Sequence, residues 1–248
     1  MTDQRVLLAI DVGNTQVVVG AHDGASWCAR WRASTDRTRT ADEWASVLSG
    51  LLDLRGLRLA ECEDVAISSV VPGVTASMRE MARTYSLRDP FVVEPGVRTG
   101  LRILVDDPRE VGADRVVNAL AAREHYGGPA IVVDFGTATT LDVISAEGDY
   151  LGGAIAPGLA ISAQALFQYA SRLHEVELVR PARAIGRNTA ECIQGGIVLG
   201  YAGLVERLVR ETQRELGPCK VIGTGGLVST VAPATDVIDH IAPDLTLE

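Results

Sequence analysis

The sequence predicts an α/β protein made of two duplicated lobes, because strand and helix signals alternate and one motif occurs twice. In this motif a buried apolar strand ends in Asp-x-Gly, and a threonine-containing loop leads into the next strand. It occurs at Asp11 and at Asp134, 123 positions apart in a chain of 248 residues. Either copy alone could be an ordinary hairpin with an aspartate in its turn. A repeat at half the chain length favours duplicated lobes that face each other across a cleft.

In the first half, two apolar runs flank Gly13-Asn14, a dipeptide typical of tight turns, and they predict a β-hairpin. Thr40 and Glu43 have the spacing of a capping box and predict a helix that runs to about Leu54. The other predicted elements are strands around 29–33, 65–71 and 91–93 and a helix over 74–85.

The second half begins again with a buried strand, 130–133, followed by a strand over 141–145. Helices are predicted over 116–122, from about 159, and from 189 to about 216, and a strand over 220–223. We therefore expect a first lobe over 1–123 and a second over 124–248.

The composition excludes several functional classes. With 23 Lys and Arg against 32 Asp and Glu, the chain has a net charge of −9, which argues against nucleic acid as a partner. The apolar run 6–10, after the polar residues 1–5, is too short for a signal peptide or a membrane span, so we expect a cytoplasmic protein with no membrane partner. The cysteines 28, 62, 192 and 219 are far apart and predict reduced core thiols.

Lysine is nearly absent. Of the 23 basic residues, 22 are arginines and only Lys220 is a lysine. The phosphate-binding motif G-x-x-x-x-G-K-[ST] is therefore missing. Any phosphate chemistry must use backbone N–H groups, hydroxyls, arginines or a metal ion.

The two Asp-x-Gly loops suit a nucleoside triphosphate. Glycine allows a tight turn whose N–H groups approach phosphate oxygens, and Thr and Asn side chains add uncharged donors. The aspartate holds a hard cation, directly or through water, and this cation offsets phosphate charge. Two such loops could clamp adjacent phosphates.

A further candidate site lies at Gly112-Ala-Asp-Arg115, where a turn bracketed by Pro108 and Gly112 leads into a helix. Helix N-termini favour anions. Asp114 could be a general base for a substrate hydroxyl, with Arg115 pairing with a substrate carboxylate or phosphate. Alternatively, Asp114 only complements the helix dipole and Arg115 lies on the surface.

Three glycine-rich segments each fit more than one structural role. The glycines of segment 152–158 indicate either close approach of another part of the backbone or ordinary turns. Segment 224–226 follows a strand and is typical of a loop that places backbone beside an adenine ring, although such loops also occur without a ligand. Glycines 196, 200 and 203 would let another helix approach closely, either within the chain or in a dimer.

Together these motifs closely resemble the type III pantothenate kinase family, in order and over essentially the whole chain. The matching segments are 11–15, 112–115, 134–140, 152–158, 186–189 and 224–226. The resemblance implies duplicated actin-like lobes, as in acetate and sugar kinases, Hsp70 and RNase H, around a nucleotide cleft. It also implies phosphorylation of pantothenate by ATP, the first step of coenzyme A biosynthesis.

The resemblance also implies roles for individual residues. Asp114 matches the proton acceptor, and Gly112, Ala113, Asp114 and Arg115 match the pantothenate-binding stretch. Asp134 matches the ligand of an activating monovalent cation, potassium or ammonium, and Asp11 could hold Mg²⁺ through water. The ATP contacts are Asp11, Val12, Gly13, Asn14, Thr15, Gln16, Val17, Val18 and Thr137.

Thr189 matches a threonine that reaches the pantothenate site of the neighbouring subunit, which implies a homodimer with composite sites. Two positions depart from the pattern: many members have Tyr and Asn where this chain has Val105 and Asp107. This removes one pantothenate contact and adds a negative charge.

Two other functions fit the same residues. One is a degenerate relative that binds ligand and regulates a partner, and the other is a phosphotransferase or phosphatase with a different acceptor. The presence of Asp11, Asp114 and Asp134 favours a working kinase.

Overall fold

A computed structural model describes residues 6–86 and 88–248, so the polar opening residues 1–5 lie outside it. The chain divides into two compact units. Unit N comprises the residues up to Arg98, Arg109–Val117 and Leu247, and unit C comprises Thr99–Pro108, Asn118–Thr246 and Glu248. The lobe boundary at 123/124 stays a prediction.

Unit N contains a five-stranded mixed sheet in the order β3-β2-β1-β4-β5. The central strand β1 pairs antiparallel with β2 and parallel with β4, as the predicted hairpin requires. The strands are β1 (Val6–Val12), β2 (Gln16–His22), β3 (Trp27–Ser34), β4 (Cys62–Ser69) and β5 (Phe91–Val93).

Two helices supply the rest of the unit N core: α1 (Ala41–Asp53) and α2 (Pro72–Met81), the latter extended by a π turn over Ala82–Ser86. The predicted capping box is present, because the Thr40 and Glu43 side chains each accept from the other residue's backbone N–H. Trp44, Leu48 and Leu52 of α1 are fully buried in the apolar cluster formed with the sheet.

Unit C repeats the sheet topology of unit N. Its order is β10-β9-β6-β7-β8, and the central strand β6 pairs antiparallel with β7 and parallel with β9. The strands are β6 (Ala130–Phe135), β7 (Ala138–Ile144), β8 (Tyr150–Pro157), β9 (Lys220–Thr224) and β10 (His240–Ile241). Asp11 and Asp134 are both next to last in the central strand of their unit.

The remaining helices are α3 (Ala113–Tyr126), α4 (Leu159–Tyr169), α5 (Thr189–Gln194), α6 (Gly200–Leu216) and α7 (Val228–Val231). Residues 113–117 of α3 belong to unit N and residues 118–126 to unit C. A π segment over Gly195–Leu199 joins α5 to α6. The long helix predicted from 189 to about 216 is therefore present.

Two local expectations differ from the structure. Residues 152–157 form most of strand β8 rather than turns, because their backbone pairs with β7. The sequence did not predict this strand, because glycine is uncommon inside strands. The thiols are free, as expected, but Cys28 and Cys192 are exposed instead of lying in a core. Burial raises the pKa of Cys62 to about 11, so this thiol stays protonated.

One helix among the described residues is long and apolar enough to cross a membrane. It is Thr189–Leu216, whose most apolar window has a mean hydropathy of 1.3 and is 33% buried inside the protein. Length and composition alone are weak evidence, since core helices pass the same test. Here Tyr201, Val205 and Val209 are buried in the unit C core, and Arg207 pairs with Glu211 on the outer face. The helix therefore has the amphipathic pattern of one that covers a sheet.

We expect Leu48→Ala to lower the free energy of unfolding by about 2–5 kcal/mol, because it leaves a cavity in the unit N core. Leu54→Ala is the matched control, since Leu54 ends the same helix but is 73% exposed. Its effect should stay within about 0.5 kcal/mol. Urea denaturation followed by circular dichroism measures both. Equal losses would contradict the assignment of Leu48 to the core.

Candidate active site

In unit N the turn between β1 and β2 forms the first predicted phosphate loop. The Gly13 N–H donates to the Gln16 carbonyl at 2.9 Å, which closes a tight turn. A Cβ atom on Gly13 would lie 3.1 Å from that same oxygen. The turn predicted from Gly13-Asn14 is thus confirmed, and glycine fits it with the least crowding.

Asp11 lies at the end of β1 beside Ser68 of β4. The two are register partners on adjacent parallel strands, so their side chains leave the same face of the sheet. Asp11 is 9% exposed and Ser68 is 6% exposed. The Ser68 hydroxyl is buried and has no hydrogen-bond partner among the described residues. An unpaired buried hydroxyl costs about 1–3 kcal/mol, so this group is available to a ligand or water beside Asp11.

The segment that follows β3 forms hydrogen bonds to the same loop. The Thr35 N–H donates to the Thr15 carbonyl at 2.9 Å, and the Thr35 hydroxyl donates to the Gly13 carbonyl at 2.7 Å. The Arg37 guanidinium donates to the Asn14 side-chain oxygen at 2.9 Å. Sequence reasoning missed Thr35 and Arg37, because no local motif links residues more than 20 positions apart.

Asp114 lies at the start of α3, as predicted. The Gly112 carbonyl accepts from the N–H groups of Arg115 and Val116, both at 3.1 Å, and so begins the helix. The Asp114 carboxylate accepts from the Arg115 N–H at 2.8 Å. A Cβ atom on Gly112 would lie 2.6 Å from this carboxylate, so a glycine here leaves room for Asp114.

Burial raises the pKa of Asp114 above its ordinary value, although the Arg115 N–H and the Arg115 charge act in the opposite direction. An exposed aspartate that only complemented the helix dipole would have a lowered pKa. Carboxylates with perturbed pKa values cluster at functional sites, which makes Asp114 a candidate general base.

Val70 contacts both features of unit N. Its N–H donates to the Val12 carbonyl at 3.1 Å, next to Asp11. Its Cγ1 lies 3.4 Å from the position that a Cβ atom on Gly112 would occupy. The phosphate loop and the Asp114 turn thus share a neighbour in unit N.

In unit C the second Asp-x-Gly loop is held by two segments. Asp134 accepts a hydrogen bond from the Asn118 amide at 3.0 Å. Gly225, with φ at +88°, packs so closely that a Cβ atom would lie 2.3 Å from the Asp134 carboxylate. Only glycine fits this position, so the segment 224–226, predicted to lie beside adenine, also packs against Asp134.

Asn118 is 1% exposed, and its side-chain oxygen has no hydrogen-bond partner among the described residues. A buried acceptor therefore stands beside the Asp134 carboxylate. Such an orphan is explained when a cation or water meets it. Sequence reasoning missed Asn118, which lies one helical turn after Asp114.

Thr137 is exposed at the tip of the same hairpin, and its carbonyl accepts from the Gly158 N–H at 3.2 Å. A Cβ atom on Gly158 would lie 2.2 Å from that carbonyl oxygen. Close backbone approach, one of the two explanations open for this segment, is therefore correct at Gly158.

Thr189 begins α5, directly after Asn188, whose side chain caps the helix by accepting from the Glu191 N–H at 2.9 Å. Thr189 also borders a mostly apolar cavity of about 300 Å³, lined with Leu166, Leu173, Cys192, Ile193, Gly196 and Ile197. A Cβ atom on Gly196, Gly200 or Gly203 would meet nothing within 4 Å. Among the described residues, no helix of this chain packs closely on these glycines.

In residues 6–86 and 88–248, no three His, Cys, Asp or Glu side chains cluster as a metal site. Each of the two loops offers one carboxylate. This suits Mg²⁺, which is commonly bound through one or two carboxylates together with substrate phosphates and water.

Comparison with known proteins identifies the family. The family model described as type III pantothenate kinase matches residues 7–211. A type III pantothenate kinase from Roseiflexus sp. (strain RS-1) is 51% identical over 244 residues, covering 98% of this chain and 96% of the relative. The chain belongs to the type III pantothenate kinase family.

Solved structures agree with this family on the fold. A Baf family transcriptional activator from Campylobacter jejuni has a TM-score of 0.58 at 18% identity, over 97% of this chain and 92% of that one. A ROK hexokinase from Thermus thermophilus has a TM-score of 0.55 at 15% identity, over 98% and 95%. These likenesses concern the fold alone. This member of the type III pantothenate kinase family has the duplicated actin-like α/β fold of the sugar kinases, as predicted.

We expect Asp114→Asn to raise the thermal midpoint at neutral pH. The folded-state pKa of Asp114 is raised, so the folded protein binds this proton more tightly than the unfolded chain. Stability therefore falls as the pH rises from the ordinary aspartate pKa through the raised one. The amide removes this penalty, so the gain should shrink on acidification below the ordinary pKa.

Thermal melts from neutral to acidic pH measure this difference. Asp42→Asn is the matched control, since Asp42 also lies in a first helical turn but is exposed. A variant at Asp114 that is less stable than wild type at neutral pH would contradict the raised pKa of this carboxylate.

Proposed function

We propose that this chain phosphorylates pantothenate with ATP by using Asp114 as the proton acceptor. The chain is a pantothenate kinase, a phosphotransferase of coenzyme A biosynthesis. The observation that carries the assignment of the base is the half-buried Asp114 carboxylate at the start of α3, whose pKa is raised by desolvation. A general base is most effective when its pKa approaches the working pH.

In the proposed step, Asp114 accepts the proton of the pantothenate primary hydroxyl. The hydroxyl oxygen forms a bond to the γ-phosphorus of ATP, and the bond from that phosphorus to the β–γ bridging oxygen breaks. ADP leaves with the electron pair of the broken bond. Phosphoryl transfer depends mainly on positioning and on charge stabilisation, so one base and well-placed donors suffice.

We assign the phosphates of ATP to residues 11–18 and Thr137. Backbone N–H groups of the Gly13 turn would meet phosphate oxygens, and ATP carries Mg²⁺, which neutralises phosphate charge. Asp11 would hold this ion through water. The buried, unpartnered Ser68 hydroxyl beside Asp11 supports a polar ligand at this position.

We assign an activating monovalent cation, potassium or ammonium, to Asp134. The orphaned Asn118 oxygen beside this carboxylate supports the assignment, because oxygen atoms are the ligands that such ions take. When bound, the ion would add positive charge to the phosphate site. With or without a bound ion, the contacts of Asn118 and Gly225 orient the Asp134 carboxylate.

We further propose that Gly112, Ala113, Asp114 and Arg115 bind pantothenate and that the enzyme is a homodimer. Arg115 would pair with the pantothenate carboxylate. The apolar cavity beside Thr189 and the open face of Gly196, Gly200 and Gly203 support a second subunit on the long helix. Thr189 would then reach the site of the partner. We place the enzyme in the cytoplasm.

The deciding assay is ADP release with and without pantothenate, in potassium buffer with Mg²⁺. Release that depends on pantothenate supports the kinase. Turnover without pantothenate would favour another acceptor, and no turnover under any condition would favour the regulatory, ligand-binding alternative.

We expect Asp114→Asn to lower turnover by at least roughly 100-fold, the range of general-base catalysis, while ATP affinity stays close to wild type. Steady-state kinetics and calorimetric ATP titration measure the two quantities. Asp42→Asn should retain normal turnover. If Asp114→Asn kept its turnover, Asp114 would not be the base.

We expect sodium in place of potassium to lower turnover, with ionic strength held constant. Asn118→Ala should raise the half-saturating potassium concentration roughly 10- to 100-fold, as for groups that orient a metal ligand. Potassium should also raise the thermal midpoint of wild type more than that of the variant. Equal responses to sodium and potassium in both measurements would contradict the assignment of a potassium site to Asp134.

A further inference from the structure

Arg37 contacts the first phosphate loop through its side chain. Its guanidinium donates to the Asn14 side-chain oxygen at 2.9 Å, across 23 positions of sequence. Asn14 is exposed at the tip of the β1–β2 turn. A permanent positive charge therefore stands at the tip of the loop.

The segment that carries Arg37 is fixed on both sides. Before it, Thr35 is bonded to the carbonyls of Gly13 and Thr15. After it, the Asp36 carboxylate accepts from the Thr38 N–H at 2.9 Å and from the Thr38 hydroxyl at 2.6 Å. The capping box at Thr40 then begins α1. Arg37 thus projects from a backbone that cannot easily move away from the loop.

The electrostatic setting of Arg37, which is exposed, differs from that of two half-buried arginines of unit N. Arg39 lies 3.7 Å from Asp36, and Arg79 lies 2.8 Å from Glu94. Arg37 has no carboxylate within 4.0 Å among the described residues, and its partner is a neutral amide. Within residues 6–86 and 88–248 no carboxylate neutralises its charge, and most of its five N–H donors remain available.

We propose that Arg37 binds the terminal phosphates of ATP and supplies the charge that a loop lysine provides in other nucleotide-binding proteins. The proposal rests on the assignment of residues 11–18 as the ATP phosphate loop. With Lys220 as the only lysine, positive charge at this loop must come from arginine or a metal ion. A guanidinium held at the tip of the loop by Asn14 has the donors to bind two phosphate oxygens at once.

The test is calorimetric titration of Arg37→Gln with ATP, ADP and adenosine in the presence of Mg²⁺. Loss of a charged hydrogen bond should weaken ATP binding roughly 10- to 100-fold. ADP should lose less, and adenosine should bind as in wild type. The ATP affinity of Arg37→Lys should lie between those of wild type and Arg37→Gln, since lysine keeps the positive charge but lacks the planar guanidinium.

Arg58→Gln is the matched control, because Arg58 is an exposed arginine of unit N that pairs with Glu61, and it should bind all three ligands normally. Unchanged ATP affinity in Arg37→Gln would overturn the proposal. So would an equal loss for adenosine, which would indicate a distorted site.

The result is separable from the kinase assignment. If wild-type protein bound ATP but left pantothenate unmodified, pantothenate would not be the acceptor. The affinities of the Arg37 variants for ATP, ADP and adenosine would still test the role of Arg37. Wild-type protein that binds no ATP would overturn both.

Discussion

Carboxylates at the ends of the central strands, one buried at Asp11 and one half-buried at Asp134, are the constraint on which the rest of the site depends. Taking a charge out of water is costly unless donors or a cation meet it. Asp134 is met by the Asn118 amide, and Asp11 lies beside the Ser68 hydroxyl. Because the two units share one sheet topology, each has a carboxylate at the same strand position that needs a polar neighbour. The neighbour differs between the two units. In each unit a bound cation would offset the charge of the carboxylate.

The sequence was informative wherever a short segment determines its own structure. The Gly13-Asn14 turn, the capping box at Thr40 and the helix start at Asp114 each depend on residues within four positions, and all are present. Contacts across long separations could not be predicted in this way. Arg37 and Asn14 are 23 positions apart, and the reason for glycine at 225 becomes visible only when Asp134 is known to lie against it.

A kinase with a single lysine must distribute the positive charge that a phosphate loop needs. The structure offers a guanidinium at one loop, a carboxylate at each loop that suits a cation, and backbone N–H groups at the glycine turns. These groups differ in rigidity. Arginine and backbone donors are oriented by the fold, whereas a bound ion exchanges with solvent. Under the proposed assignment, dividing the charge in this way would make nucleotide binding depend on the ions present, whereas a lysine would not.

The two departures from the family pattern lie on a segment whose position is set by its backbone. Tyr150 of β8 donates its N–H to the Arg102 carbonyl and accepts from the Leu104 N–H, both at 2.8 Å, and Arg102 lies 3.3 Å from Asp149. Tyr150 is itself buried, with its hydroxyl donating to Asp142 at 2.9 Å. Since these bonds do not involve the side chain at position 105, Val105 in place of tyrosine leaves the position of the segment unchanged.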